Sequence, residues 1–212
     1  MKRLVFLVEG DTELLFINKH VIPHLYQKGF CNPMHAQKIV TNRKMNKKGG
    51  VINYEYLKND MKRVLAQGNV IITTFLDFFR LPNSFPGYSA DPKRIGSIEA
   101  GILEDMNNNP DIIPYIQLHE MEALMFSDIR GFEMVVDDQK KIEQLISVMN
   151  EYSNPEDINN TPQTAPSKRL ELIFGYEKIT DGEIILDTLG IEIMILKCPR
   201  FASWIKRIEA GL

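Results

Sequence analysis

Leu4-Val5-Phe6-Leu7-Val8 is an unbroken apolar run stopped by Glu9-Gly10. A short run rich in β-branched and aromatic residues, closed by a glycine, suits a strand buried on both faces, as in a parallel sheet. Directly behind it stand Glu9, Asp11 and Glu13, ahead of a helical pattern. Carboxylates at the end of a buried strand are costly unless a cation or hydrogen-bond donors neutralise them. The start of the chain therefore predicts an α/β fold with a charged strand end.

Two later segments repeat the arrangement. Residues 70–76, V-I-I-T-T-F-L, read as a second buried strand and end on Asp77. Residues 112–118 read as a third strand, despite Pro114, and run into Glu120 and Glu122. Open parallel sheets bind ligands beyond the carboxyl ends of their strands. If the first two strands are neighbours, Glu9 and Asp77 face one crevice. Three strand ends followed at once by acids point to a hard divalent cation with oxygen ligands.

Between the strands, apolar residues recur at helical spacing. Helices are predicted from about 14 to 25, 53 to 66 and 93 to 106, with Pro23 kinking or ending the first. Residues 37–40 read as a short strand. From about residue 131 the chain is mostly helical: Ile142, Leu145, Ile146 and Met149 form one face, and terminal helices at 186–196 and 201–208 are separated by Pro199. The expectation is one domain over residues 1–212, with a core of about 1–130 and a helical C-terminal part of about 131–212.

A net charge of −3 excludes a global field that attracts nucleic acid. A local one remains open. Arg43, Lys44, Lys47 and Lys48 form one basic cluster in a segment closed by two glycines, suited to phosphates or to plain solvation. Lys168 and Arg169 end a proline-rich stretch at a helix start, where they meet a substrate phosphate or pair with nearby acids. Cys31 and Cys198 lack metal-like spacing and read as reduced thiols of a cytoplasmic protein. Glu9 and Asp11 interrupt the apolar start too early for a signal peptide, and no run approaches the roughly 20 apolar residues of a membrane helix.

The segments Val8 to Glu13 (V-E-G-D-T-E) and Thr74 to Phe79 (T-F-L-D-F-F) resemble the first and second motifs of Toprim domains. In the second, Phe79 stands where the family has a further aspartate. With L-P-N-S-F-P-G (81–87), Y-I-Q-L-H-E-M-E-A-L-M-F-S-D (115–128), residues 155–170 and C-P-R-F-A-S-W (198–204), nearly the whole chain resembles a bacterial Toprim-like family, domain of unknown function 4276, related to the nuclease domains of overcoming-lysogenization-defect (OLD) proteins.

The resemblance implies a Toprim or Rossmann-like parallel sheet flanked by helices, with a mostly helical C-terminal extension. It implies Mg2+ (or Mn2+) held by Glu9, Glu13 and Asp77, with Glu120 and Glu122 positioned to replace the missing aspartate. Glu9 and Lys168 become the candidate catalytic residues, and Arg43, Lys44, Lys47 and Lys48 the nucleic-acid contacts. The implied activity is metal-dependent phosphodiester hydrolysis, as in bacterial defence against foreign DNA. The alternative is a catalytically weak metal-binding partner of an ATPase. The chain has no G-x-x-x-x-G-K-[ST] phosphate loop, so that ATPase would be a separate polypeptide. Whether the protein forms a homo-oligomer is left open.

Overall fold

The apolar opening run forms β1 (Arg3–Val8), in which Leu4 to Val8 are fully buried. It lies inside a parallel sheet in the computed structural model, which describes residues 1–42, 47–48, 53–79, 81–159 and 161–212. The chain divides into two compact units, Met1–Gln117 with Lys206–Leu212, and Leu118–Ile205.

In the first unit β1 leads into α1 (Asp11–Phe16), a widened π turn over Ile17–Val21, and α2 (Ile22–Gln27). Pro23 neither ends the helix nor stands alone as a break. It sits in the first turn of α2, and the wide turn just before it absorbs the ring and the missing N–H. Next come β2 (Met34–Lys38) and a small antiparallel hairpin, β3 (Val40–Asn42) with β4 (Lys47–Lys48). The predicted strand at 37–40 is thus two strands, one on either side of Ile39. Asn53 caps α3 (Tyr54–Leu65), its side chain accepting from Tyr56 N–H at 3.0 Å.

β5 (Val70–Asp77) follows, buried along its length up to a half-buried Asp77, and then α4 (Ile95–Asp105). Asn107 and Asn108, at φ 58° and 50°, end α4 in the left-handed conformation that asparagine tolerates. The third predicted strand is split into β6 (Ile112–Ile113) and β7 (Ile116–Gln117), both paired with β5. Pro114 has no N–H to give the ladder. Threonine side chains of β5 take over there. Thr73 Oγ1 donates to Ile113 O at 2.7 Å, Thr74 Oγ1 to Tyr115 O at 2.7 Å, and Tyr115 N–H donates to Thr74 Oγ1 at 2.8 Å. The sheet order is β2-β1-β5-β6, all parallel.

The second unit is helical: a buried 3-10 turn over Met121–Ser127, then α5 (Arg130–Glu133), α6 (Gln139–Glu151), α7 (Pro166–Phe174), α8 (Thr180–Leu189), α9 (Ile191–Lys197) and α10 (Pro199–Gly211). The last residues of α10 belong to the first unit. Phe126, Phe132, Leu145, Leu170, Ile185, Phe201 and Trp204 are its buried centre. Gly131 lets α5 approach α8, since a Cβ there would lie 2.9 Å from Ile185 Cγ2. On α6 the buried face is Ile142, Leu145 and Val148, and the expected Ile146 is 38% exposed. The helix expected at 186–196 is broken at Gly190, whose φ of 70° lies outside the helical range. No described helix is long and apolar enough to cross a membrane. The architecture is α/β: a central parallel sheet flanked by helices, with a helical C-terminal part.

Candidate functional site

Adjacent parallel strands bring Glu9 and Asp77 to one edge of the sheet. Val8 is the Cα partner of Phe75, so Glu9 stands one residue, and Asp77 two, beyond that pair. Both are half-buried. On its other side β1 pairs with β2, Val8 opposite Lys38, and Ile39 N–H donates to Val8 O at 3.0 Å. The chain passes from β1 to β2 on one side, then crosses to β5 on the other. The strand order therefore reverses between β1 and β5, and such a switch point opens a crevice at the carboxyl ends of the two strands. The two acids stand at the ends of the strands that flank it.

Glu13 turns back on the same corner. Its Oε2 accepts from Gly10 N–H at 2.8 Å, one half of a capping box, and the residue is 8% exposed. A Cβ on Gly10 would lie 2.8 Å from that oxygen, so a larger residue here would push the Glu13 carboxylate out of this position. One oxygen of Glu13 is thus engaged by the backbone.

Lys38 went unnoticed in the sequence. It closes β2 at the same edge, and its Nζ lies 2.6 Å from Asp11 Oδ1. A basic residue inside the strand candidate at 37–40, just before a basic cluster, is the signal the sequence offers. In that cluster, Arg43 and Lys44 lie outside the described residues, while the backbone of Lys47 and Lys48 forms β4, paired with Val40 and Asn42. The root of this hairpin is anchored: Val40 N–H donates to Asp60 Oδ2 at 2.8 Å. Asp60 is fully buried and also receives Arg63 at 2.8 Å.

The remaining candidates belong to the second unit. His119, Glu120 and Glu122 are all buried, and His119 holds a left-handed φ of 65°. Its Nδ1 lies 3.2 Å from Asn159 Nδ2, and burial lowers its pKa, against the pull of Asp157. Both oxygens of Glu120 accept from Ser167, one from the N–H and one from the hydroxyl, each at 2.9 Å. Burial and then the neighbouring Glu122 raise the pKa of Glu120, while Ser167 and Lys178 oppose that shift. Lys178 Nζ stands 2.7 Å from Glu122 Oε1. Lys168 pairs with Glu171 one turn along α7. Arg169 donates from Nε to Thr164 O at 2.9 Å.

Glu9 and Asp77 offer oxygen donors only, the type that hard divalent cations take. Among the described residues no group of three or more His, Cys, Asp or Glu side chains is arranged to hold a metal ion. The donor set fits a magnesium ion whose shell is completed by water and substrate oxygens, and does not fit an all-protein cage.

No curated protein and no solved structure matches the chain. A family model described as "Domain of unknown function (DUF4276)" matches residues 8–209, and the chain belongs to that family.

Proposed function

We propose that this protein is a metal-dependent phosphodiesterase of Toprim type that acts on nucleic acid at the carboxyl edge of β1 and β5. One observation carries the reading: the two strands that flank the sheet's switch point both end in a half-buried carboxylate, Glu9 and Asp77. The motif resemblance at residues 8–13 and 74–79 supports it independently. Mg2+ or Mn2+, when bound there, supplies Lewis-acid polarisation of the phosphate and a more acidic water. Glu9 and Asp77 would hold the ion, and Glu9 would be the candidate to take or give a proton at the strand end. Glu13 supports the corner by fixing Gly10.

Hydrolysis of bis(4-nitrophenyl) phosphate and of plasmid DNA in Mg2+ or Mn2+ tests the reading. Wild type should turn over in metal and lose that activity in EDTA and in Glu9→Gln and Asp77→Asn. A wild type inactive on both substrates with either metal, or variants as active as wild type, would refute it. A second reading is a metal-binding partner of a separately encoded ATPase, with little turnover of its own. It is favoured by the absence, among the described residues, of a third metal-holding side chain in the group, and by Phe79 at the aspartate position.

A further inference from the structure

We propose that Lys38 is a phosphate-binding residue of this edge, occupied by Asp11 until a nucleic-acid phosphodiester takes the place of the carboxylate. The inference rests on the reading that the β1/β5 edge receives a phosphodiester, and it adds which cation receives it and how that cation is kept.

Three observations place Lys38. It is the Cα partner of Val8, the residue before Glu9, so the sheet register fixes its backbone beside the strand end. The hydrogen bond from Ile39 N–H to Val8 O holds that register to the last residue of β1. The chain then enters the β3–β4 hairpin, whose root is tied to buried Asp60. Lys38 therefore stands on paired strand backbone between the acidic end of β1 and the start of the hairpin.

The partner of Lys38 is the kind that can be exchanged. The Asp11 side chain is 74% exposed, against 23% for that of Lys38. An ion pair whose carboxylate is this exposed contributes little to stability. A phosphodiester oxygen offers the same ammonium a charge-assisted hydrogen bond of similar geometry. The carboxylate thus neutralises Lys38 in the free protein at a strength that a polyanion can overcome.

The pair also makes a signed prediction. If Asp11 competes with phosphate for Lys38, removing the carboxylate strengthens binding and removing the ammonium weakens it. If the pair only clamps α1 to β2, both changes lower the melting temperature and neither affects binding through the other.

The experiment is fluorescence anisotropy with a labelled DNA duplex, in EDTA, over a series of salt concentrations. Lys38→Gln should weaken binding about tenfold, as expected for one charge-assisted contact, and reduce the slope of log K against log salt by about one. Asp11→Asn should tighten binding about threefold. The double variant should behave like Lys38→Gln, because Asp11 acts only through Lys38. An equal gain from Asp11→Asn with and without Lys38 would mean a general charge effect and overturn the proposal, as would unchanged binding by Lys38→Gln. No binding by wild type would overturn it together with the nucleic-acid reading. Measuring binding in EDTA separates the two claims: a wild type that hydrolyses neither substrate in Mg2+ or Mn2+ while the Lys38 and Asp11 binding effects persist sinks only the metal-dependent enzyme, and hydrolysis by wild type with unaltered binding in Lys38→Gln sinks only the Lys38 assignment.

Discussion

In the first unit, Glu9 and Asp77 end neighbouring strands and are half-buried. In the second, Glu120, Glu122 and Glu156 are 5%, 1% and 0% exposed, and each has its partner within the same unit. Glu156 accepts from Arg200 N–H at 2.8 Å and Phe201 N–H at 3.1 Å, capping the start of α10. The contrast separates two uses of one residue type. A buried carboxylate facing backbone amides substitutes for missing secondary-structure partners. Under the proposed function, a partly exposed one at a switch point meets a ligand instead.

The contrast breaks most sharply on activity. Glu9→Gln or Asp77→Asn should lower metal-dependent hydrolysis at least about 10³-fold while circular dichroism stays that of wild type; Glu120→Gln should leave the same assay within about tenfold. Next in size is stability in the second unit. Glu156→Ala leaves two amides of α10 without their acceptor and should destabilise the protein by about 3 kcal/mol in urea titration. Lys178→Met leaves Glu122 buried without its cation. Breaking a buried pair costs about 3–5 kcal/mol, and the 49% exposure of the lysine side chain reduces this to about 2 kcal/mol.

A smaller effect is expected from His119. Its pKa is lowered from 6.5 by burial, so the unfolded chain takes up that proton first as pH falls. Its contribution is present above pH 6.5 and is lost as pH drops through the depressed native value. Thermal melts from pH 7.5 to 5 should show a decline that His119→Asn flattens; asparagine tolerates the left-handed φ of that position. Least costly to the molecule is a labelling contrast. Cys31 is exposed, whereas the Cys198 thiol is buried beside Ser127 and pushed up to about 12. Iodoacetamide should modify Cys31 in the native protein and Cys198 only on unfolding, read by peptide mass spectrometry. Early modification of Cys198 would show that the second unit opens on its own.

Local pattern made much of this legible. The apolar runs of β1 and β5, the amphipathic spacing of α3 and the acids after each strand depend on near neighbours in sequence. What escaped was set by partners far along the chain. Asp60 reads as one of several polar residues on α3, yet it is fully buried because Val40 N–H, twenty positions earlier, needs an acceptor. The break at Pro114 was visible, but its repair by Thr73 and Thr74 was not. Lys38 became conspicuous only when the sheet register set it opposite Val8. Glu120 and Glu122 carry the same local signature as Glu9, and their deeper burial is what sets them apart.

Manganese binding, followed by electron paramagnetic resonance with Glu9→Gln, Asp77→Asn and Glu122→Gln beside wild type, tests the strand-end site most directly. The account predicts that wild type and Glu122→Gln bind the ion and that the Glu9 and Asp77 variants each lose it. Retention of full manganese affinity by both strand-end variants would contradict it.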